Sequence, residues 1–586
     1  MSDERPDVVI LGAGLAGLSL ARQLLLETER SVLLLERRDA VPPERQKVGE
    51  SLVQLGGYYF SKVLDLEEHL FRRHFLKYNL RFHWPAAGDG SRYEDYSQSS
   101  IRAMSNVASY QLDRNVLEAE LLARNLEDPR FTFQAGVRDL DVELAEGGPS
   151  GGPGHRVAYR AGGARREVCS PWVVDTTGRN RFLAKRMDLG RPSSIRHGSF
   201  YWWVDGLVDV ERLTDASRRE VRRRPERREL GHLPFWLATN HFCGEGFWFW
   251  VIPLQGKTSL GLVFDSRRVD PSEVFSVEKA TRWICERFPL FRRDLPHREV
   301  LDFGGFRDFA YDCAQTIHPD GWALAGESGR FSDPLYSPAS DLIAVHNTLI
   351  VGAVEAGDAD ELESRCALAE QLMRTMYSAY VPSYSLSYDT LGDQEVFSVK
   401  YAWELATYFA TYVFPFVNDL LTDRRFALSY LRQVSRLGPV NRSLQGFLAD
   451  FHRWKQTRAA APGSHPPRFF DFTAFATLQR AESTFYRVGA SVEEARRVLG
   501  EQVDGLRELA RFIAAHAASV VLDDPRVVTS RPFVEGIDPE ALVFDPKDFG
   551  RRWEMCSRDP ARWEWSFEPP ELERFRPAPE PAVVAR

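Results

Sequence analysis

The segment "DVVILGAGLAGLSLARQLLLETERSVLLLERRD", beginning at Asp7, runs from an apolar stretch through a glycine-rich turn and an apolar-periodic stretch to a second apolar stretch. Short apolar runs bounded by glycine read as strands, and the helical periodicity between them as a helix, so the chain opens with a βαβ unit. Gly12, Gly14 and Gly17 occupy the positions of G-x-G-x-x-G. In that spacing the first glycine permits the tight turn, the second lets backbone approach a pyrophosphate, and the third lets helix and strand pack closely. Glu36 ends the second strand about 20 residues further on, where a carboxylate accepts from a ribose hydroxyl. An α/β, Rossmann-type fold around a dinucleotide follows. This unit alone leaves NAD and FAD both open.

Three later segments narrow the choice. "YQLDRNVLEAEL" sets Arg114 and Glu118 one helical turn apart, "PWVVDTTGRN" ends an apolar run in Asp175, and "GWALAGESGR" follows another with Gly326 and Glu327. These resemble elements of FAD monooxygenases of the glutathione-reductase-like (GR2) class. The resemblance implies cofactor contacts from Arg114, Asp175, Gly326 and Glu327, with a helix N-terminus after Gly326 beside the flavin. Glu327 stands where that class has Asp or Asn. Between Arg191 and Asp302, "GSFYWWVDGLV" and "TSLGLVFD" read as strands of a sheet over the flavin. From about Val345 the pattern turns helical, as in the amphipathic "SVEEARRVLGEQVDGLRELARFIAAH". The expected organisation is an FAD-binding core over 1–345, with an antiparallel substrate sheet inserted at about 190–300, and a helical C-terminal domain over 346–586. "GGPSGGPGH" reads as a hairpin tip and the tail "FRPAPEPAVVAR" as loose.

A formal charge of -8 over 586 residues gives no push toward nucleic acid or an anionic membrane. "YAWELATYFATYVFPFVNDLL" contains Glu404 and Pro415, so it reads as a buried helix rather than a membrane span. The arginine-rich run from Arg218 to Leu230 is either a solvated face or a contact for an acidic partner. Six cysteines without paired spacing, and a start without a charged-then-apolar signal, point to a reducing cytoplasm and to no metal site.

"GEGFWFWVIPL" places Trp248, Trp250 and Ile252 on one face of a strand. By itself that pattern suits an aromatic core strand. The spacing W-x-W-x-I-P before a glycine-containing turn resembles the flavin-dependent halogenases of the tryptophan-halogenase type. The resemblance implies that both tryptophans lie near the flavin and disfavour hydroxylation, and that a lysine follows a G-E-S/A segment on a strand ending in Trp. "KVGESL" supplies Gly49, Glu50 and Ser51, and Lys77 lies seven residues before Trp84. Lysine is scarce here, nine among 75 basic residues. In the implied chemistry, reduced FAD and oxygen oxidise chloride or bromide, and the hypohalous acid travels to Lys77. An ammonium donates hydrogen bonds to that oxidant, and an amine freed by desolvation can itself be halogenated. Arginine stays protonated. From the residues alone, Lys77 also fits a strand-end cation.

"FSDPLYSPA" resembles the family's tunnel motif F-x-x-P-x-x-S-x-G, with Phe331, Pro334 and Ser337 in place and Ala339 where glycine is usual. The halide site is implied there. Tyr336 stands where tryptophan halogenases carry a glutamate, which argues for a self-activating phenol- or pyrrole-like substrate, free or tethered to an acyl or peptidyl carrier protein. Glu404 is a candidate replacement base. No second glycine fingerprint for NADPH occurs, so a separate flavin reductase is the expected partner. The implied function is FADH2- and O2-dependent halogenation in secondary metabolism, such as antibiotic biosynthesis. An FAD-dependent aromatic hydroxylase and a non-catalytic FAD-binding scaffold are the alternatives.

Overall fold

A computed structural model describes residues 5–566, apart from 44, 46, 102–104, 148, 150, 225–232, 459–465 and 486, together with 572–575. The opening segment forms strand β1 (Val8–Leu11), helix α1 (Leu15–Glu27) and strand β2 (Val32–Leu35). Both strands are buried along their whole length, as the unbroken Val/Ile/Leu runs require when a parallel sheet is covered on both faces. The six-stranded sheet runs Ile317–His318, Trp322–Leu324, Trp172–Asp175, β1, β2, Phe131–Gln134, parallel except at its first pair. Gly12 has φ 106°, and a Cβ on Gly17 would stand 2.1 Å from the Gly12 carbonyl oxygen, so the turn admits neither side chain. Helix α2 (Arg114–Leu126) packs on α1, where Asn125 Nδ2 donates to Leu18 O at 3.0 Å.

A second sheet has eight strands, in the order Val300–Phe306, His197–Asp205, Lys257–Asp265, Phe247–Leu254, Thr239–Gly244, Leu80–Pro85, Tyr96–Ser100, Phe469–Asp471. Leu80–Pro85 is strand β3 and Phe247–Leu254 strand β4. In β4 the alternation of a strand divides the aromatic run: Trp248, Trp250 and Ile252 enter the main core, while Phe247, Phe249 and Val251 enter the core on the opposite face. The sheet reaches beyond the expected 190–300. Thr239–Gly244 pairs in parallel with β3, and Phe469–Asp471 pairs in parallel with Tyr96–Ser100. Such pairings join strands far apart in the chain, which local sequence pattern cannot specify.

Helices follow: α3 (Ala339–Val354), α4 (Ala359–Ser385) and α5 (Gln394–Tyr408). Nearly all of α5 is buried, including its charged Glu395, Lys400 and Glu404, each of which is paired. The amphipathic segment forms Val492–Leu522, with Ser491 Oγ capping it by accepting from Glu494 N at 3.2 Å. No described helix is long and apolar enough to cross a membrane. Of the arginine-rich run, Arg218–Arg222 is helical, and the part from 225 lies outside the described residues. The expected hairpin tip joins Arg138–Glu143 to His155–Ala161, with 148 and 150 outside the description, as is the tail from 576.

Gly17→Ala drives its methyl into the β1–α1 turn, an overpacking worth about 2 kcal/mol or more. The expected result is a lower melting temperature together with weakened flavin uptake, measured by thermal denaturation and by flavin fluorescence.

Candidate active site

The glycine turn opens into a cavity of about 890 Å³, within the usual range of cofactor pockets, roughly 300–1,000 Å³. Gly12 and Gly14 line it. A Cβ on Gly14 would meet nothing within 4 Å, and Gly14 caps α1 without a side-chain hydrogen bond, so backbone N–H groups face open space suited to a pyrophosphate. Glu36 lines the same cavity and accepts from Ala13 N at 2.8 Å and Arg38 Nε at 2.9 Å. Burial opposes its ionisation, but these hydrogen bonds outweigh it and hold the carboxyl below its usual range. Arg114 and Lys47 converge on the buried Glu118 of α2, and both line the cavity. These donors fit a dinucleotide.

Two sequence expectations change here. Asp175 does not line the cavity: its carboxylate accepts from Thr177 N at 2.8 Å and Leu183 N at 2.7 Å and so shapes the loop whose Thr176, Thr177 and Gly178 do line it. Gly326–Ser328 is a single 3-10 turn, and the long helix starts only at Ala339, after Pro334 and Pro338 interrupt the chain. Gly326 and Glu327 still line the cavity; burial raises the Glu327 carboxyl, against the pull of Arg179 and Arg114.

At its far end the cavity meets Trp248 and Trp250, whose ring centroids lie 5.6 Å apart, and Phe331, Pro334, Ser337 and Ala339. Trp248 Nε1 donates to Tyr388 OH at 2.7 Å, and Trp250 Nε1 to Ser259 Oγ at 3.2 Å. Ser259 and Trp203 Nε1 both donate to Glu50, which is 2% exposed. Burial pushes the Glu50 carboxyl up to about 7.

A second, small cavity of about 60 Å³ lies beyond. Lys77, Tyr336, Asp341 and Glu404 line it, and Leu342 lines both cavities. Lys77 is 3% exposed; its Nζ donates to Ser51 Oγ at 2.7 Å and Leu52 O at 2.8 Å. Ser51 lines the large cavity, so this hydrogen bond spans the wall between the two. Lys77 sits not on β3 but in the connection from Phe75–Leu76, where Asn79 turns at φ 60°. Desolvation pulls its amine down to about 7, with Asp341 pulling the other way. Tyr336 and Ser337 both have left-handed backbone, at φ 70° and 62°, and face the small and large cavity respectively. Tyr336 OH donates to Glu404 Oε2 at 2.7 Å, and Glu404 is also paired with Lys400.

Sequence reasoning gave no role to Glu50, Asp341 or the buried set in which His197 Nδ1 lies 2.5 Å from Asp333 Oδ2. Glu50 adjoins Ser51 in a quoted motif, and its solitary acid among apolar neighbours was the available signal. Asp341 and Asp333 carried none, since only tertiary contacts bury them. Among the described residues no cluster of His, Cys, Asp or Glu is arranged to hold a metal.

No profile of a known protein family matches the chain. It is 25% identical over 432 residues to the flavin-dependent halogenase chlA of Dictyostelium discoideum, covering 69% of each chain. It is 24% identical over 355 residues to a Pseudomonas fluorescens chlorinase named for 1H-pyrrole-2-carbonyl on a peptidyl-carrier protein, covering 58% of this chain and 73% of the relative. Its fold matches crystalline halogenase PltM, solved with phloroglucinol and FAD, at a TM-score of 0.57 and 15% identity, covering 86% of this chain and 95% of PltM. The fold is thus an FAD-binding α/β fold. In sequence the chain is thus similar to flavin-dependent halogenases, which are oxidoreductases.

A carboxyl whose pKa is raised on folding favours the folded state at low pH. For Glu50 that contribution is complete below its unfolded value of 4.5 and is lost as pH rises through about 7, a span worth roughly 3 kcal/mol. Glu50→Gln cannot ionise, so denaturation midpoints compared at about pH 5 and pH 8 should differ less than in wild type, with the variant gaining relative stability at the higher pH. An unchanged pH slope would show that Glu50 is not the titrating group.

Proposed function

We propose that this protein chlorinates or brominates an electron-rich, phenol- or pyrrole-like aromatic substrate, with Lys77 as the residue that carries the activated halogen. Bound reduced FAD supplies, with oxygen, the oxidation of halide. The supporting observation is the buried Lys77 amine, hydrogen-bonded to Ser51 at the junction of a cofactor-sized cavity and a small aromatic one. An amine held near neutrality has a lone pair to offer an electrophilic halogen at physiological pH. Trp248 and Trp250 occupy the wall of the large cavity where a hydroxylase needs its substrate, which keeps the aromatic ring on the Lys77 side.

The small cavity is walled by tyrosines, among them Tyr336, Tyr380, Tyr384, Tyr401 and Tyr408, whose faces suit stacking on a flat ring. At about 60 Å³ it is well under the roughly 150 Å³ that houses benzene, so substrate entry displaces some of these side chains. Tyr336 binds Glu404, and a phenolic or pyrrolic proton is a natural competitor for that carboxylate. The P. fluorescens relative, named for a carrier-bound pyrrole, supports a carrier-tethered substrate beside a free one. With no NADPH fingerprint in the chain, reducing equivalents come from a separate flavin reductase. Six free cysteines support a reducing, cytoplasmic setting.

The test is mass spectrometry of phenols and pyrroles, free and carrier-bound, incubated with protein, FADH2, oxygen and chloride or bromide. Lys77→Ala is expected to abolish halogenated product while the flavin still reoxidises in air, and Lys77→Arg to fail as well, because guanidinium does not shed its proton. Near wild-type halogenation by Lys77→Ala would end this reading. NADPH-driven bleaching of the flavin by the protein alone would favour a hydroxylase instead.

A further inference from the structure

We propose that Asp341 is the proton partner of Lys77: its carboxylate takes the proton that Lys77 sheds before its nitrogen is halogenated, and returns it as the halogen leaves for the substrate. This rests on the reading of Lys77 above. Asp341 sits in the first turn of α3, 3% exposed, and lines the same small cavity as Lys77. Its Oδ1 accepts from Gly56 N at 2.8 Å. A Cβ on Gly56 would lie 3.0 Å from that oxygen and 2.8 Å from Ser340 Oγ, so a residue without a side chain is what gives the carboxylate its place. The second oxygen, Oδ2, is buried without a well-formed hydrogen bond, beside the Tyr408 hydroxyl.

The two donations from Lys77 match the two N–H bonds of a neutral amine and leave its lone pair for the cavity. An ammonium has a third proton there instead. Other groups facing this pair are poor acceptors. His241, on the strand beside β3, is held neutral by burial; Tyr380 on α4, Tyr408 on α5 and Tyr412 after it are pushed far above neutrality by burial; and Glu404 is bound to Lys400. Asp341 is the acid left to exchange a proton with Lys77; the two share the cavity without touching, so the exchange runs through water there, and burial raises the carboxyl to about 7, level with the amine.

The cycle balances. Ammonium and carboxylate become amine and carboxylic acid. The amine lone pair attacks the halogen of hypohalous acid, forming N–X and breaking X–O, while hydroxide leaves with one amine proton as water. The acid then protonates the N–X nitrogen, and the aromatic ring takes the halogen, forming C–X and breaking N–X. The ring carbon is oxidised and the halogen reduced. The ring proton passes to the freed amine, which restores ammonium and carboxylate.

The test is titration of Lys77 by NMR of the holoprotein labelled only at lysine, a spectrum with nine side chains, assigned by the signal missing from Lys77→Ala. Loss of the neighbouring anion in Asp341→Asn or Asp341→Ser should move the Lys77 midpoint down by about one pH unit. The acid limb of the halogenation profile should shift the same way while the rate at neutral pH falls about tenfold or more, and Asp341→Glu should recover part of it. Using two neutral variants guards against a folding defect in one, checked by circular dichroism and flavin content. A merely structural Asp341 would lower the rate without moving either midpoint, and that result overturns the proton cycle alone. Full halogenation by Lys77→Ala overturns the role of Lys77 and the cycle with it.

Discussion

A lysine amine taken out of water loses far more in its charged form than in its neutral one. At 3% exposure, Lys77 is held where that difference decides its state, and the surroundings supply two acceptors and one carboxylate on the same small cavity rather than a direct ion pair. A closely paired carboxylate would favour the ammonium. Lys400, buried against Glu404 one helical turn away, has such a partner, and there Glu404 opposes a desolvation that still holds the amine below its ordinary value. Desolvation lowers both buried lysines, and they differ in that an acid touches Lys400 directly and not Lys77.

One strained turn contributes a side chain to each cavity. Tyr336 and Ser337 in succession adopt left-handed backbone, at about 1–3 kcal/mol each for residues with side chains. Their neighbours hold them there. Asp333 accepts from Leu335 N at 2.8 Å, Tyr336 OH reaches Glu404, and Ser337 N donates to Pro334 O at 2.9 Å. The strain turns successive side chains to opposite cavities, a separation that a regular helix could not make over one residue.

The helical C-terminal part is built into the site. Tyr388 accepts from Trp248 and Leu391 O accepts from Trp84 Nε1 at 2.7 Å, so one short turn, Tyr388–Gly392, satisfies two buried indoles from β4 and β3. Buried indole N–H groups without partners are costly, and of these two rings Trp248 lines the cofactor cavity. Glu50 does the same for Trp203 directly and for Trp250 through Ser259.

Local pattern by itself determined the dinucleotide turn, because only glycine tolerates the φ of Gly12 and the contact at Gly17, and it determined the two faces of β4, because strand geometry alternates. It also singled out Lys77, through the rarity of lysine and the resemblance carried by W-x-W-x-I-P. Tertiary structure decided what surrounds that lysine. Ser51, Leu52 and Asp341 come to it from 26, 25 and more distant positions in the chain, and Asp175 is turned into a loop support by backbone donors that no spacing reveals. Burial, and with it the protonation state of a buried acid or base, depends on every element packed around the group, so it was settled only when the sheet, α3 and α5 closed on one another.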